Sequence, residues 1–320
     1  MSFLEFDVIK QYFSKITQGN DSSDILLSIG DDAAVVSLPP DKELVVCTDT
    51  LNEGIHFPES TSPYDIAYKA LAVNLSDIAA MGAQPIWFTL NISLPEIKKQ
   101  WIERFSQGLA DLAGQYRLSL IGGDTTRGPL SITITLAGHI NKGQVLTRSN
   151  ANIGDKVYLS GVTGEAAYAL QKILDKKQVG EISEYFLNRL NRPTARVELG
   201  MGLVGIANAC IDVSDGLLAD VNHIAEQSCK GIHLYLDKIP SPEIKNTDDA
   251  KRFALTGGDD YELVFCVDTE HHESLVNLMS ENDIPITCIG EVVEQKGVRV
   301  FDKNNNQLEI NKFGYQHFSE

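Results

Sequence analysis

Apolar positions along the chain follow two rhythms. Behind Pro63, which suits a first helical turn, Tyr64, Ala67, Leu71, Leu75 and Ile78 recur at three-to-four spacing and predict a helix buried along one side. The opening MSFLEFDVIKQYF reads as an amphipathic helix, and Pro95 to Arg117 carries the same period through Trp101, Phe105, Leu109 and Leu112. Alternation of period two is strongest at Leu130 to Ile140, LSITITLAGHI, whose neighbours on either side are its expected sheet partners, and it recurs at Ile86 to Ser93. Lys42 to Thr50 is a short β-branched run ending in Thr48, Asp49 and Thr50; Asp31 and Asp32 begin or flank another strand, after a polar loop at 18–24. Leu118 to Ile121 leads as a strand into the flexible loop Gly122 to Gly128.

Thr147 to Gly154 is a polar connector, and Asp155 to Gly161 restarts with a new strand. That places a domain boundary near 150, giving domains 1–150 and 151–320. Helical pattern runs from Gly164 to Asn208, broken near Gly180 and at Asn191 to Pro193. A helix from Leu217 to Gln227 follows, for which Ser214 or Asp215 is the expected cap. Strands at Gly231 to Leu236, Tyr261 to Val267 and Ile286 to Val293 alternate with a helix near His271 to Glu281, and the tail from Val298 to Ile310 reads as a hairpin.

Composition narrows the function classes. With 27 Lys and Arg against 44 Asp and Glu, the formal charge of −17 argues against partners such as nucleic acid or an anionic membrane. An anionic ligand would then arrive with its own metal ions. Five scattered cysteines, never in CxxC spacing, read as core thiols in a reducing compartment and not as a disulfide framework or zinc knuckle. There is no basic leader at the start and no apolar run long enough for a membrane span, so the cytoplasm is the expected location.

Candidate chemistry begins at Asp77, the only charged residue between Lys69 and Glu96, which shares a helix face with Asn74. A buried ionised carboxylate costs several kcal/mol unless it is paired or binds a metal, so Asp77 is expected to have a cationic partner. Acids beside Gly, Ser, Thr or Asn recur at Asp31 and Asp32, Asp49, Asp77, Asp124, and Asp212 with Asp215. Such oxygen donors suit Mg²⁺ or Ca²⁺. On spacing alone they are equally consistent with separate turn and cap residues. GxxxxGK[ST], GxSxG, HExxH and EF-hand loops are absent, and Gly200 to Gly205 matches GxGxxG without the strand that fingerprint needs, which suggests small packing residues.

GDDAAV, CTDT, EGIHF, KALAVNLSDIAAMGA, IGGDTTRG, LTRS, IDVSDGL, TGGDDYEL and GYQHF together, from about Asp31 to Phe318, resemble the thiamine-monophosphate kinase family of the aminoimidazole ribonucleotide synthetase superfamily. The resemblance implies an α/β (α+β, mixed-sheet) two-domain fold, with an N-terminal domain that binds ATP and Mg²⁺ and dimerises through its sheet. It implies a homodimer that converts thiamine monophosphate and ATP to thiamine diphosphate and ADP with several Mg²⁺ ions. Its metal ligands fall on Asp32, Thr48, Asp49, Asp77, Asp124, Asp212 and Asp215, its ATP contacts on Gly123, Asp124, Arg148 and Ser214, and its thiamine-phosphate contacts on His56, Asp259 and Tyr315. Asp77, Asp124 and Arg148 would carry the chemistry. One departure is that the family's GGEDYEL stands here with Asp259, one methylene shorter. The alternatives are another ATP-dependent member of the superfamily or a non-catalytic nucleotide and Mg²⁺ binding module. Selenophosphate synthetase is disfavoured because Cys47 is the first cysteine.

Overall fold

The computed structural model describes residues 5–16, 24–175, 182–281, 284–310 and 314–315. Most of the polar loop at 18–24, the break near Gly180 and the end of GYQHF lie outside them. The chain divides into two compact units, one of Met1–Ile78 and Ala83–Gly143, the other of Ala79–Gly82 and Gln144–Glu320.

The first unit contains α1 (Glu5–Gln11), β1 (Ile25–Leu27), β2 (Val35–Val36), β3 (Lys42–Asn52), α2 (Pro63–Ala80, whose last two residues belong to the second unit), β4 (Gln84–Leu94), α3 (Lys99–Gln115), β5 (Ser119–Arg127) and β6 (Ser131–Asn141). Strands β1 and β2 form their own small ribbon, and the main sheet runs β3-β6-β4-β5. The alternating β6 therefore lies between β3 and β4, antiparallel to both; its chain neighbour β5 instead pairs parallel with β4 at the far edge. A parallel pair needs a crossover, which α3 supplies. Helices α2 and α3 approach closely at Gly108, where a Cβ would lie 2.3 Å from Tyr64 O, and Tyr64 Oη donates to Asp111 Oδ2 at 2.8 Å.

Helix α2 differs from the one-sided burial its periodicity predicts. Leu71, Leu75 and Ile78 are buried, but so are Lys69, Asn74 and Ser76. The polar members are satisfied locally: Lys69 Nζ donates to His56 O at 3.2 Å, and Asn74 Nδ2 to Ala70 O at 3.0 Å. A helix enclosed on most sides has lost the polar stripe that periodicity relies on.

The second unit contains β7 (Lys156–Ser160), α4 (Glu165–Leu174), α5 (Glu184–Asn191), α6 (Val197–Gly202), β8 (Ala207–Asp212), α7 (Leu217–Gln227), β9 (Gly231–Tyr235), α8 (Thr247–Thr256), β10 (Leu263–Val267), α9 (His272–Glu281), β11 (Ile286–Val293) and β12 (Gly297–Phe301). Its sheet runs β12-β9-β11-β7-β10-β8. Leu217, Val221 and Ile224 of α7 share a core with Val157, Leu159, Ile211, Val264 and Ile289. Each such side chain contributes about 1.5–3 kcal/mol on burial. The tail turns back on itself only briefly: β12 joins the sheet parallel to β9, and after Asp302 the returning chain pairs antiparallel with it through a bridge from Phe301 to Gln307 and a bond from Leu308 N to Val300 O at 2.9 Å. Gly200 and Gly202 pack within α6, where a Cβ would meet Ala79 O and Leu278.

Candidate active site

In the first unit the alternation of β3 sorts its candidate residues by face. Thr48 and Thr50 hydroxyls meet Thr135 and Thr133 across the β3/β6 pair at 3.0 and 2.8 Å, and Thr48 Oγ1 also reaches Ile134 O at 3.1 Å. Asp49, one residue on, points to the opposite face, the side on which Cys47 Sγ meets Asn74 O of α2. There Asp49 and Asp77 share a side-chain hydrogen bond, and His56 stands near enough for its charge to act on Asp49. Burial raises the Asp49 carboxyl above its ordinary range, opposed by the Asp77 bond and the His56 charge. One neighbour of Asp77 is thus another acid, and two carboxylates in such contact share a proton or a cation. His56 Nδ1 faces the Asn52 N–H at 3.0 Å, which fixes the orientation of the ring.

The other candidate acids of this unit, Asp31, Asp32 and Asp124, line a cavity of about 670 Å³. Asp31 and Asp32 enter it from the loop before β2, Gly123 and Asp124 from β5, and Phe13 from the N-terminal segment. Asp31 Oδ1 accepts from Asp32 N, and Asp124 Oδ1 from Thr125 N. Gly123 has φ 146° and its missing Cβ would sit 1.8 Å from Leu90 O, so backbone alone fits there. Register puts Asp49, Ile134, Leu90 and Gly123 in one row across the sheet. Three strand spacings of about 4.8 Å separate the Asp49 edge from the Gly123 edge by roughly 14 Å. Among the described residues no group of three or more His, Cys, Asp or Glu is placed to hold a metal ion.

In the second unit the candidates gather on the turn between β8 and α7. Neither Ser214 nor Asp215 caps α7: the N-cap is Gly216, and Asp220 reaches back from the first turn. Asp220 Oδ2 accepts from the N–H groups of Ser214, Asp215 and Gly216 at 3.0, 3.1 and 3.1 Å. Burial, then the charges of Asp212 and Asp215, push the Asp220 carboxyl up to about 8 against the pull of those bonds. The carbonyls of the same turn hold its neighbours. Ser214 O accepts from Asp259 N at 2.8 Å, Val213 O from Tyr261 N at 2.8 Å, and Asp215 O from Tyr315 N at 2.9 Å. Asp259 and Tyr261 have φ of 69° and 55°, and Tyr261 Oη donates to Asp259 Oδ1 at 2.9 Å. Non-glycine residues held in this region cost of order 1–3 kcal/mol each and cluster at functional sites. Tyr315, 48% exposed, lines a cavity of about 470 Å³ with Gly257, Gly258 and Arg252. Arg148 is exposed, its carbonyl accepting from Ser228 Oγ at 3.2 Å.

A buried charge network beneath the Gly257 to Glu262 segment escaped the sequence reading. Fully buried Glu262 accepts from Ser160 Oγ at 2.6 Å, Arg189 Nη2 at 2.9 Å and Arg196 Nε at 2.7 Å. Arg189 also reaches Glu165 at 2.8 Å, and Tyr185 Oη caps that carboxylate. Asp260 accepts from Gly164 N and Ala166 N at the start of α4, and burial pushes its carboxyl up to about 8. One signal was available: Glu262 is the only charge between Asp260 and Asp268, immediately before an otherwise apolar strand.

Residues 30–140 match the model of the AIR synthase related protein N-terminal domain, and 152–303 that of the C-terminal domain. Thiamine-monophosphate kinase of Haemophilus influenzae is 44% identical over 328 residues, covering 100% of this chain and 99% of the relative. The crystal structure of thiamine-monophosphate kinase from Stenotrophomonas maltophilia K279a is 45% identical with a TM-score of 0.86, over 94% of this chain and 97% of that one. A structure described as AaThiL complexed with AMPPCP and TMP is 30% identical with a TM-score of 0.76, over 98% and 97%.

Proposed function

As a member of the thiamine-monophosphate kinase family within the AIR synthase related proteins, the chain is an ATP-dependent kinase of thiamine monophosphate, and we propose that it transfers the γ-phosphoryl group directly, in line, with several Mg²⁺ ions. The observation that carries the metal reading is the Asp49–Asp77 contact in a chain of net charge −17. Two acids held together call for a cation, and an all-oxygen donor set fits Mg²⁺.

The acceptor oxygen belongs to a phosphate monoester whose second pKa is about 6, so it is already largely dianionic at neutral pH and needs no general base. The problem left to the protein is electrostatic, since two polyanions must meet in line. Mg²⁺ held by Asp32, Asp49, Asp77, Asp124, Asp212 and Asp215 would neutralise phosphate charge and polarise the leaving group; Thr48, which the resemblance assigns to the same set, turns its hydroxyl to the face opposite Asp49. Gly123, Asp124, Arg148 and Ser214 are assigned to ATP, with the exposed Arg148 as the positive charge. His56 and Asp259 are assigned to thiamine monophosphate, and Tyr315 to its cationic ring at about 0.5–2 kcal/mol.

Residues 1–150 are assigned to ATP, Mg²⁺ and dimerisation, and 151–320 to a second α/β domain. Support for a homodimer comes from β3, an eleven-residue edge strand exposing Leu44 and Val46. The five cysteines are free thiols, which agrees with action in the cytoplasm, and no described helix is long and apolar enough to cross a membrane.

The test is ADP release from ATP with thiamine monophosphate as acceptor across a Mg²⁺ series, with thiamine and aminoimidazole precursors as controls. ADP and thiamine diphosphate in equal amounts, steeply Mg²⁺-dependent, support the reading. ADP release independent of Mg²⁺, or only with a control acceptor, overturns it.

A further inference from the structure

One buried carboxylate underlies two sets of site residues in the second unit. Asp220 is 2% exposed, and a single oxygen of it accepts all three N–H groups of Ser214, Asp215 and Gly216. The carbonyls of Ser214 and Asp215 in turn fix the backbones of Asp259 and Tyr315. Close packing leaves the turn no slack: a Cβ on Gly258 would lie 2.4 Å from Ser214 O, and one on Gly314 2.5 Å from Asp215 O. An acid in that position is not needed to start a helix, because a glycine N-cap is tolerated without it.

We propose that Asp220 is a positioning residue: by anchoring the Ser214 to Gly216 turn it sets both the nucleotide-side residues Ser214 and Asp215 and, through their carbonyls, the acceptor-side residues Asp259 and Tyr315. It touches neither substrate. The assignment of the two sides rests on the function proposed above, but the mechanical linkage does not.

Because one oxygen takes all three bonds, Asp220→Asn can keep an acceptor in place, whereas Asp220→Ala cannot. Asp220→Ala is therefore expected to raise the KM for both Mg·ATP and thiamine monophosphate by about tenfold or more, since small displacements of positioned groups carry large kinetic costs. Asp220→Asn should restore both to near wild type. Val221→Ala, which empties core space beside Asp220 without touching the turn, should lower the melting temperature and leave both KM values unchanged. Gly258→Ala, whose added Cβ would press on Ser214 O, should raise the KM for thiamine monophosphate, and it serves as the deciding variant if Asp220→Ala does not fold. Calorimetric titration with Mg²⁺ and a non-hydrolysable ATP analogue reads the nucleotide branch with no acceptor present. Wild-type protein that makes no thiamine diphosphate sinks the substrate assignment only. Unchanged KM values and analogue affinity in Asp220→Ala, or a Gly258→Ala variant that binds thiamine monophosphate as wild type does, overturn the positioning role.

Discussion

Replacing Glu262 by Gln tests whether the charge network beneath the Gly257 to Glu262 segment is as tightly balanced as its geometry indicates. The side chain is fully buried and accepts from Ser160, Arg189 and Arg196. Arg189 would survive its loss, because it retains Glu165 at 2.8 Å and Val162 O at 3.2 Å. Among the described residues Arg196 has its ion pair with Glu262, so the substitution leaves a mostly buried guanidinium without a counter-charge and turns an amide N–H₂ toward one of the two arginines. Removing one partner of a buried pair costs about 3–5 kcal/mol. For a unit of this size that corresponds to a fall in melting temperature of about 6–20 °C. Both tryptophans, Trp87 and Trp101, belong to the first unit. Thermal unfolding followed by circular dichroism should show the destabilised transition, and tryptophan fluorescence should report a transition that moves less. A drop of under about 2 °C would refute the reasoning. Adding Arg196→Met should recover part of the loss, since the cost lies in an unpaired charge; a double variant as unstable as the sum of the singles would also refute it.

Asp77→Asn should abolish turnover while leaving the circular dichroism spectrum unchanged, and purified variant activity within a few fold of wild type would remove Asp77 from the metal set. Asp260, with a carboxyl raised to about 8 when folded, favours the folded state most below its unfolded pKa of about 3.9 and loses that contribution as pH rises toward 8. Urea denaturation at pH 5, 6, 7 and 8 should therefore show stability falling less steeply for Asp260→Asn than for wild type, and equal slopes would contradict the burial argument. Tyr315→Ala should mainly raise the KM for thiamine monophosphate; an unchanged KM would take Tyr315 out of the pocket.

Legibility in the sequence followed the range of the interactions. Period-two alternation located β6, and the three-to-four pattern located α3, because each depends on neighbours a few residues apart. The acids at Asp32, Asp49, Asp77, Asp124, Asp212 and Asp215 stood out for a similar reason, each beside small or hydroxyl residues where an ordinary core position would be apolar. The turn after β8 was visible as a helix start, but its capping residue was misassigned. A Ser or Asp just before a helix is the usual acceptor, and the actual one comes from inside the first turn because Gly216 occupies the N-cap.

Tertiary structure alone decided who meets whom. Glu262 lies 66 and 73 positions from its arginines, and no local pattern records a pairing over that distance. Asp49 contacts Asp77 because α2 packs on the inner face of β3, while Thr48, adjacent in sequence, is turned to the opposite face by the pleat. Sheet order set the remaining geometry: inserting β6 and β4 between β3 and β5 separates Asp49 from Gly123 although they share a row. The sequence by itself therefore determined the elements, the family resemblance and the chemical type of the candidate donors, since these depend on local periodicity and residue identity. Only packing determined which carboxylates share a proton or cation, which are locked by arginine, and which hold a turn in place, because those outcomes depend on through-space proximity that chain order does not encode.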